Sequence, residues 1–251
     1  MLILLSLLAS TQQRADEFNW HQSLAAGKVI EIVGVNGSIE ASGTKGELEV
    51  RAVKTSEKYD LADVQIEVVQ HADGVTICAV YPSARGQANE CRPGGKGRMN
   101  TRKNDVTVNW TVRVPEGVRL IGRTVNGHIA AHGLTAPAEA YTVNGPVTVE
   151  TTSWATASTV NGSITARMGK ADWSDDREFS TVNGSITIEL PPNASMQVDA
   201  ATVNGSMSTD FPLTVRGKWG PQRMSGTIGQ GGRSLSLSTV NGSLNLRRSA
   251  P

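Results

Sequence analysis

Aromatic residues are scarce in this chain: three Phe, three Tyr and five Trp among 251 residues, or 4%. A compact core of this length normally holds more aromatic bulk, so a wide globular interior is excluded as the default. Charge of one sign is also missing. Lys and Arg total 24 against 23 Asp and Glu, a net charge of +1, which argues against a polybasic nucleic-acid binder. No apolar run reaches the ~18 residues that a membrane-spanning helix needs. There are only two cysteines, no CxxC, no HExxH and no GxSxG. Zinc modules, zincin proteases and serine hydrolases of the nucleophile-elbow type therefore have no foothold. No cofactor and no metal are expected.

What is present begins with a compartment signal. Residues 1–9 read MLILLSLLA and are followed by Ser-Thr-Gln-Gln-Arg. This pattern resembles the apolar region and small-residue exit of a secretory signal, with Ala9 and Ser10 at the cleavage position. The alternative is a buried first strand. Cys78 and Cys91 lie 13 positions apart. In an exported protein such a pair predicts a disulfide, worth about 3 kcal/mol by loop closure. In a cytosolic one they read as two buried thiols.

An internal repeat dominates the rest. Val-Asn-Gly-Ser, or a close variant, occurs seven times, centred on Asn36, Asn126, Asn144, Asn161, Asn183, Asn204 and Asn241. The steps after Asn126 are 18, 17, 22, 21 and 37. Met224-Ser225-Gly226-Thr227-Ile228 reads as a degenerate copy inside the last step, which gives a period of about 19 residues. Apolar or small residues alternate on both sides of each Asn, as in Ala155/Ala157 and Ile164/Ala166. The alternation slips by one residue at the motif, so the chain turns a corner there. Glycine is expected to supply a positive φ at that corner, and Asn tolerates one.

Two architectures compete. Asn-Gly between alternating runs is a hairpin signal, which gives an antiparallel meander or a propeller. In an all-β parallel β-solenoid each period is one coil, and each Asn packs on its own copy in a buried ladder. The solenoid is preferred: length varies only outside the motif, and the small inward residues suit a narrow coil. Residues 1–17 form a signal-like leader, 18–118 an N-terminal β segment with the first coil, and 119–251 the solenoid repeats.

The order of these motifs carries a resemblance. Ile32 to Ile39 comes first, then Asp73-Gly74-Val75-Thr76-Ile77-Cys78-Ala79-Val80-Tyr81-Pro82. Asn104-Asp105-Val106 leads to Val112-Arg113-Val114-Pro115-Glu116-Gly117-Val118, and the Thr-Val-Asn-Gly coils follow. Over about residues 18–247 the chain resembles the bacterial DUF4097 family of β-solenoid envelope proteins, often labelled adhesins. The resemblance implies a parallel β-solenoid in the cell envelope and no established reaction.

Candidate sites lie off the repeated positions. Arg85, Arg92, Lys96, Arg98, Arg102 and Lys103 face only Glu90 within residues 83–103. Such a Gly-rich basic loop either engages anionic envelope glycan or lipid headgroups, or is simply solvated. Trp154, Trp173 and Trp219 each precede a motif. They form an aromatic strip for sugars or a protein partner, or they fill the Ala-rich interior. Asp172, Asp175 and Asp176 offer an oxygen-rich turn, without EF-hand spacing. No His has a catalytic context. The favoured function is a non-catalytic, exported envelope-binding or scaffold protein. The alternatives are a polysaccharide-active β-helix enzyme and an accessory sensor domain of an envelope-stress pathway.

Overall fold

A computed structural model describes residues 14–83, 87–99, 101, 103–171, 173–217 and 221–249. The signal-like run 1–9, Arg85, Arg102, Asp172 and Trp219 lie outside the described residues. The fold is all-β. Among the described residues twenty-one strands fall in two sheets, with two short 3-10 turns at Leu61–Asp63 and Pro93–Gly95.

The first seven strands are β1 (Arg14–Gln22), β2 (Val29–Val33), β3 (Ile39–Thr44), β4 (Leu48–Ser56), β5 (Gln65–His71), β6 (Gly74–Val80) and β7 (Thr107–Pro115). Four motif-bearing pairs follow: β8 (Arg119–Arg123) with β9 (Ile129–Leu134), β10 (Ala138–Tyr141) with β11 (Val147–Thr151), β12 (Ala155–Ser158) with β13 (Ile164–Met168), and β14 (Arg177–Ser180) with β15 (Ile186–Leu190). The chain ends in β16 (Met196–Asn204), β17 (Met207–Thr209), β18 (Thr214–Arg216), β19 (Gln222–Ile228), β20 (Ser234–Asn241) and β21 (Leu244–Arg248).

Within each motif-bearing pair the first strand joins one sheet and the second joins the other. The corner between them is Thr-Val-Asn-Gly. Equivalent strands pair parallel and in register. Ile129, Val147, Ile164, Ile186 and Leu244 occupy one column, and Leu120, Ala138 and Ala155 another. These columns face each other between the sheets and are almost wholly buried. The interior is narrow, as the shortage of aromatics requires.

The corners explain the identity of the repeat. Asn126 Nδ2 donates to Asn36 Oδ1 at 2.8 Å, and the same bond runs from Asn144 to Asn126, Asn161 to Asn144, Asn183 to Asn161 and Asn241 to Asn183. Asn204 completes the series on Asn241 at 2.9 Å. From Asn126 onward these side chains are exposed, so the stack is a surface ladder rather than a buried one. The buried polar partner is the Thr two positions earlier. Thr159, only 3% exposed, donates to the carbonyl of Gly145 in the preceding coil at 3.0 Å, and Thr142, Thr181 and Thr239 repeat the bond.

Glycine is needed for a different reason than the sequence predicts. Of the seven motif glycines only Gly37 and Gly145 have positive φ. The shared constraint is proximity. A Cβ on Gly162 would sit 2.1 Å from the Gly145 carbonyl oxygen, and one on Gly184 would sit 2.0 Å from that of Gly162. Stacked corners pack backbone on backbone, and only a residue without a side chain fits.

Both ends depart from simple succession. One sheet runs β1-β4-β7-β3-β9-β11-β13-β15-β21-β17, and the other β18-β19-β16-β20-β14-β12-β10-β8-β2-β6-β5. Coil β20/β21 therefore lies between β14/β15 and β16/β17, and coil β2/β3 lies between β6/β7 and β8/β9. The segment expected to be a degenerate coil, Met224 to Ile228, belongs instead to β19, which runs antiparallel on β16. The step of 37 is thus not two periods. Its extra length makes β18 and β19, and the chain then returns inward.

Candidate binding surface

The outward positions of the second sheet bring together residues from four coils. On β2, Ile30 and Ile32 point into the core, which sends Glu31 outward. On β8 the same alternation sends out Arg119, Ile121 and Arg123, and on β10 it sends out Glu139 and Tyr141. Register sets Arg123 beside Tyr141 and Ile121 beside Glu139.

Glu31 is buried, at 2% exposure, beneath the basic loop. It accepts from Arg123 Nε at 3.0 Å, from the Thr76 hydroxyl at 3.0 Å and from the Gly94 backbone N–H at 2.7 Å. A buried carboxylate with three donors is satisfied, and here it also pins the loop to the sheet. The Cys78–Cys91 disulfide pins the loop a second time, from β6. A cleft of about 180 Å³ remains between loop and sheet, lined by Arg92, Gly95, Met99, Arg123 and Val125 among others.

The network continues along the sheet. The Arg123 guanidinium lies 4.3 Å from the Tyr141 ring centroid, and the Tyr141 hydroxyl donates to Glu139 Oε2 at 2.8 Å. The other Glu139 oxygen pairs with Arg119. Trp154, just before β12, carries Arg177 at 3.5 Å and Arg119 at 5.4 Å from its ring centroid. Burial, and then the neighbouring charge of Arg177, lower the proton affinity of Arg119. Burial also raises that of Tyr141, which the three arginines oppose. Glu31 and Glu139 are thus more deeply buried than the Arg123 and Arg119 guanidiniums that pair with them.

The residues singled out from sequence fall in several places. Arg92 is exposed and pairs with Glu90 at 2.9 Å. Lys96 follows the turn Pro93–Gly95, and the Arg98 carbonyl accepts from the Glu90 N–H at 3.0 Å. Lys103 takes a left-handed φ of 47°. The aromatic strip does not form among the described residues. Trp173 is 5% exposed and packs in the core, where the small Ala side chains leave room for it, while Trp154 is half-buried under arginines. Asp175 pairs with Arg177 at 3.7 Å, and Asp176 accepts from the Ser234 N–H at 3.0 Å. No group of three metal-ligating side chains occurs among the described residues.

The opposite sheet holds a serine–histidine–glutamate contact. Ser38 Oγ lies 2.9 Å from His128 Nδ1, and His128 Nε2 contacts Glu40. A nucleophile and a base are therefore adjacent. The backbone donors an oxyanion would need are committed, however. Ser38 N–H bonds Asn109 Oδ1, and Gly37 N–H bonds the Asn126 carbonyl. The same sheet carries a ladder of charges along the stack: Glu150, Arg167 and Glu189 in register, then Arg247 paired with Asp210.

A family model described as Toastrack DUF4097 matches residues 122–247, the stretch that holds the stacked corners. The chain belongs to this family. No curated protein matches. Among solved structures, a "putative cell adhesion protein" from Clostridium sporogenes shares the fold, with a TM-score of 0.53 at 11% identity over 94% of this chain and all of that one. A "putative adhesin" from Bacteroides fragilis is 14% identical over 94% of this chain and 98% of its own, with a TM-score of 0.37.

Proposed function

We propose that this member of the Toastrack family is an exported, non-catalytic binding protein of the cell envelope, built as a parallel β-solenoid. The observation that carries the reading is the arrangement of charge on the second sheet. Glu31 and Glu139 are buried, whereas the arginines paired with them, together with Arg92, Lys96, Arg98 and Lys103, face outward. A rigid sheet that presents cations over satisfied carboxylates attracts anionic partners without rearranging. The partner is anionic envelope glycan or lipid, or an envelope protein. The Cys78–Cys91 disulfide supports export, since such bonds persist in oxidising compartments. The adhesion named for the Clostridium sporogenes relative agrees with a binding role.

The test is co-sedimentation of the oxidised protein with envelope fractions across a salt series, beside a turnover screen on acidic polysaccharides. Binding that weakens as salt rises, with no turnover, is expected. Turnover abolished by replacing one carboxylate would overturn the reading.

A further inference from the structure

The guanidiniums around Trp154 are under-neutralised, and this singles out one place on the sheet. Arg119, Arg123 and Arg177 all act on Tyr141. Arg123 is neutralised by Glu31, and Arg119 shares Glu139 with the Tyr141 hydroxyl. Among the described residues Arg177 pairs with Asp175 alone, at 3.7 Å, whose side chain is 81% exposed to water, and the Asp176 charge also acts on it. Arg119 and Arg177 both flank the Trp154 ring and repel each other. The Nε atoms of both are buried without a hydrogen-bond partner among the described residues. Arg119 divides Glu139 with the Tyr141 hydroxyl and Arg177 meets a solvated Asp175, so the two adjacent guanidiniums are weakly neutralised.

Resting on the binding role proposed above, we infer that Arg119 and Arg177, against Trp154, hold a carboxylate of an acidic glycan. A planar carboxylate accepts two parallel bonds from a guanidinium fork and supplies the missing charge. The surroundings suit a sugar chain. Hydroxyls of Ser158 and Ser180, 3.1 Å apart, continue the face of Tyr141 across β12 and β14, and Ser236 and Ser238 extend it on β20. Arg119 is 37% and Arg177 11% exposed. A chain-like polymer can lie along the row of hydroxyls that these strands set in register. Glu178, exposed beside Tyr141, stands at the rim and disfavours densely charged ligands such as phosphate clusters.

The experiment is calorimetric titration of the full oxidised chain with oligogalacturonate, its methyl ester, inorganic phosphate and anionic phospholipid vesicles. Oligogalacturonate is expected to bind, and the neutral ester is not. Arg177→Gln is expected to weaken binding at least about tenfold, because it removes a desolvated partner. Lys58→Gln, in the exposed bend after β4, is expected to change it by no more than about threefold. Arg119→Gln leaves Glu139 unpaired, so it is paired with Glu139→Gln, and each variant's melting transition is checked against the parent. Unchanged affinity in a folded Arg177→Gln protein overturns the site. So does equal binding of the ester, or vesicle or phosphate binding that depends on Arg177 when oligogalacturonate does not bind. If binding persists in Arg177→Gln and is lost in Arg98→Gln, this site falls and the broader binding role stands. If no anionic material binds the parent, both fall.

Discussion

Gly162 is the most stringent test of how the stack is held. Its carbonyl accepts from the Thr181 hydroxyl at 2.9 Å, and its N–H donates to the Asn183 carbonyl at 3.0 Å. A Cβ added there would lie 2.1 Å from the Gly145 oxygen, 2.5 Å from its carbonyl carbon and 2.8 Å from Pro146 N. All three contacts are backbone, so no rotamer change relieves them. The coils must separate by about 1 Å locally to restore ordinary contact distances. That displacement stretches the bonds across this step: the Thr159 hydroxyl to the Gly145 carbonyl, the Gly145 N–H to the Asn161 carbonyl, and the Asn161 N–H to the Val143 carbonyl. At about 1 kcal/mol for each weakened hydrogen bond, Gly162→Ala should cost on the order of 3 kcal/mol. Gly46, whose nearest outside atom is a Thr44 side-chain oxygen at 3.5 Å, is the control, and Gly46→Ala should stay within about 0.5 kcal/mol. Urea unfolding of the two variants and of Gly162→Asn separates the possible causes. If glycine were needed for backbone conformation, Asn would be tolerated better than Ala. Proximity predicts that both fail. A Gly162→Ala protein as stable as the parent, or clear rescue by Asn, would refute the backbone-contact explanation.

Other outcomes follow from burial. Asn161→Ala removes exposed ladder bonds and should cost only about 0.5–1 kcal/mol, whereas Thr159→Val leaves the Gly145 carbonyl short of a buried donor and should cost about 1–2 kcal/mol; the reverse order in urea midpoints would show the surface ladder to be the stronger element. Trp173→Ala should lower stability by about 3–5 kcal/mol, as for a buried aromatic, while glycan affinity measured on folded protein stays unchanged; a loss of affinity without loss of stability would restore Trp173 to the binding surface. Acid should destabilise the N-terminal edge. Lys54 lowers Asp16, and hydrogen bonding by Arg51 takes Glu17 from 4.5 to about 2. Folded values below the unfolded ones stabilise at higher pH, and the contribution is lost as pH falls from 4.5 towards 2. Protection factors of β1 amides that do not fall over that window would contradict the assignment.

The corner and the column of inward residues were legible because each coil repeats the same physical problem. Thr, Val, Asn and Gly recur, and length varies only where no neighbour constrains it. The role of the glycines was misjudged because proximity between coils is invisible within one copy. The ends were misread for a related reason. Nothing in the spacing of Asn204 and Asn241 says that the later copy packs inside the earlier one. Alternation within Gln222–Ile228 looks the same whether the strand runs parallel or antiparallel to its neighbour. The binding surface needed register as well. An offset of 18 residues, equal to the step from Asn126 to Asn144, places Arg123 beside Tyr141. Applied to outward positions, it would have exposed the arginine network. Attention to loops and tryptophans passed over it. Trp173 could not be settled from sequence, because an aromatic on an irregular edge serves equally as a lid or as a strip.

The exchanged order at the two ends bears on why the stack is finite. Identical parallel coils present the same unpaired edge at each step, and such an edge accepts another strand. Here each terminal coil is covered by antiparallel strands that do not repeat the motif: β4 and β5 on β7 and β6 at one end, β19 on β16 at the other. In the sheet that bears the ladder of charges, the far edge is β17, only three residues long, and a short edge strand is a poor template. The inward return of β20 and β21 adds a second effect. The last coil in the chain has neighbours on both sides, so β16 and β17 reach the rest of the stack only through it. The outermost coil cannot be completed before the C-terminal strands are in place. A chain lacking them would expose the edges of β14 and β15, the interior motif coils that are built to stack.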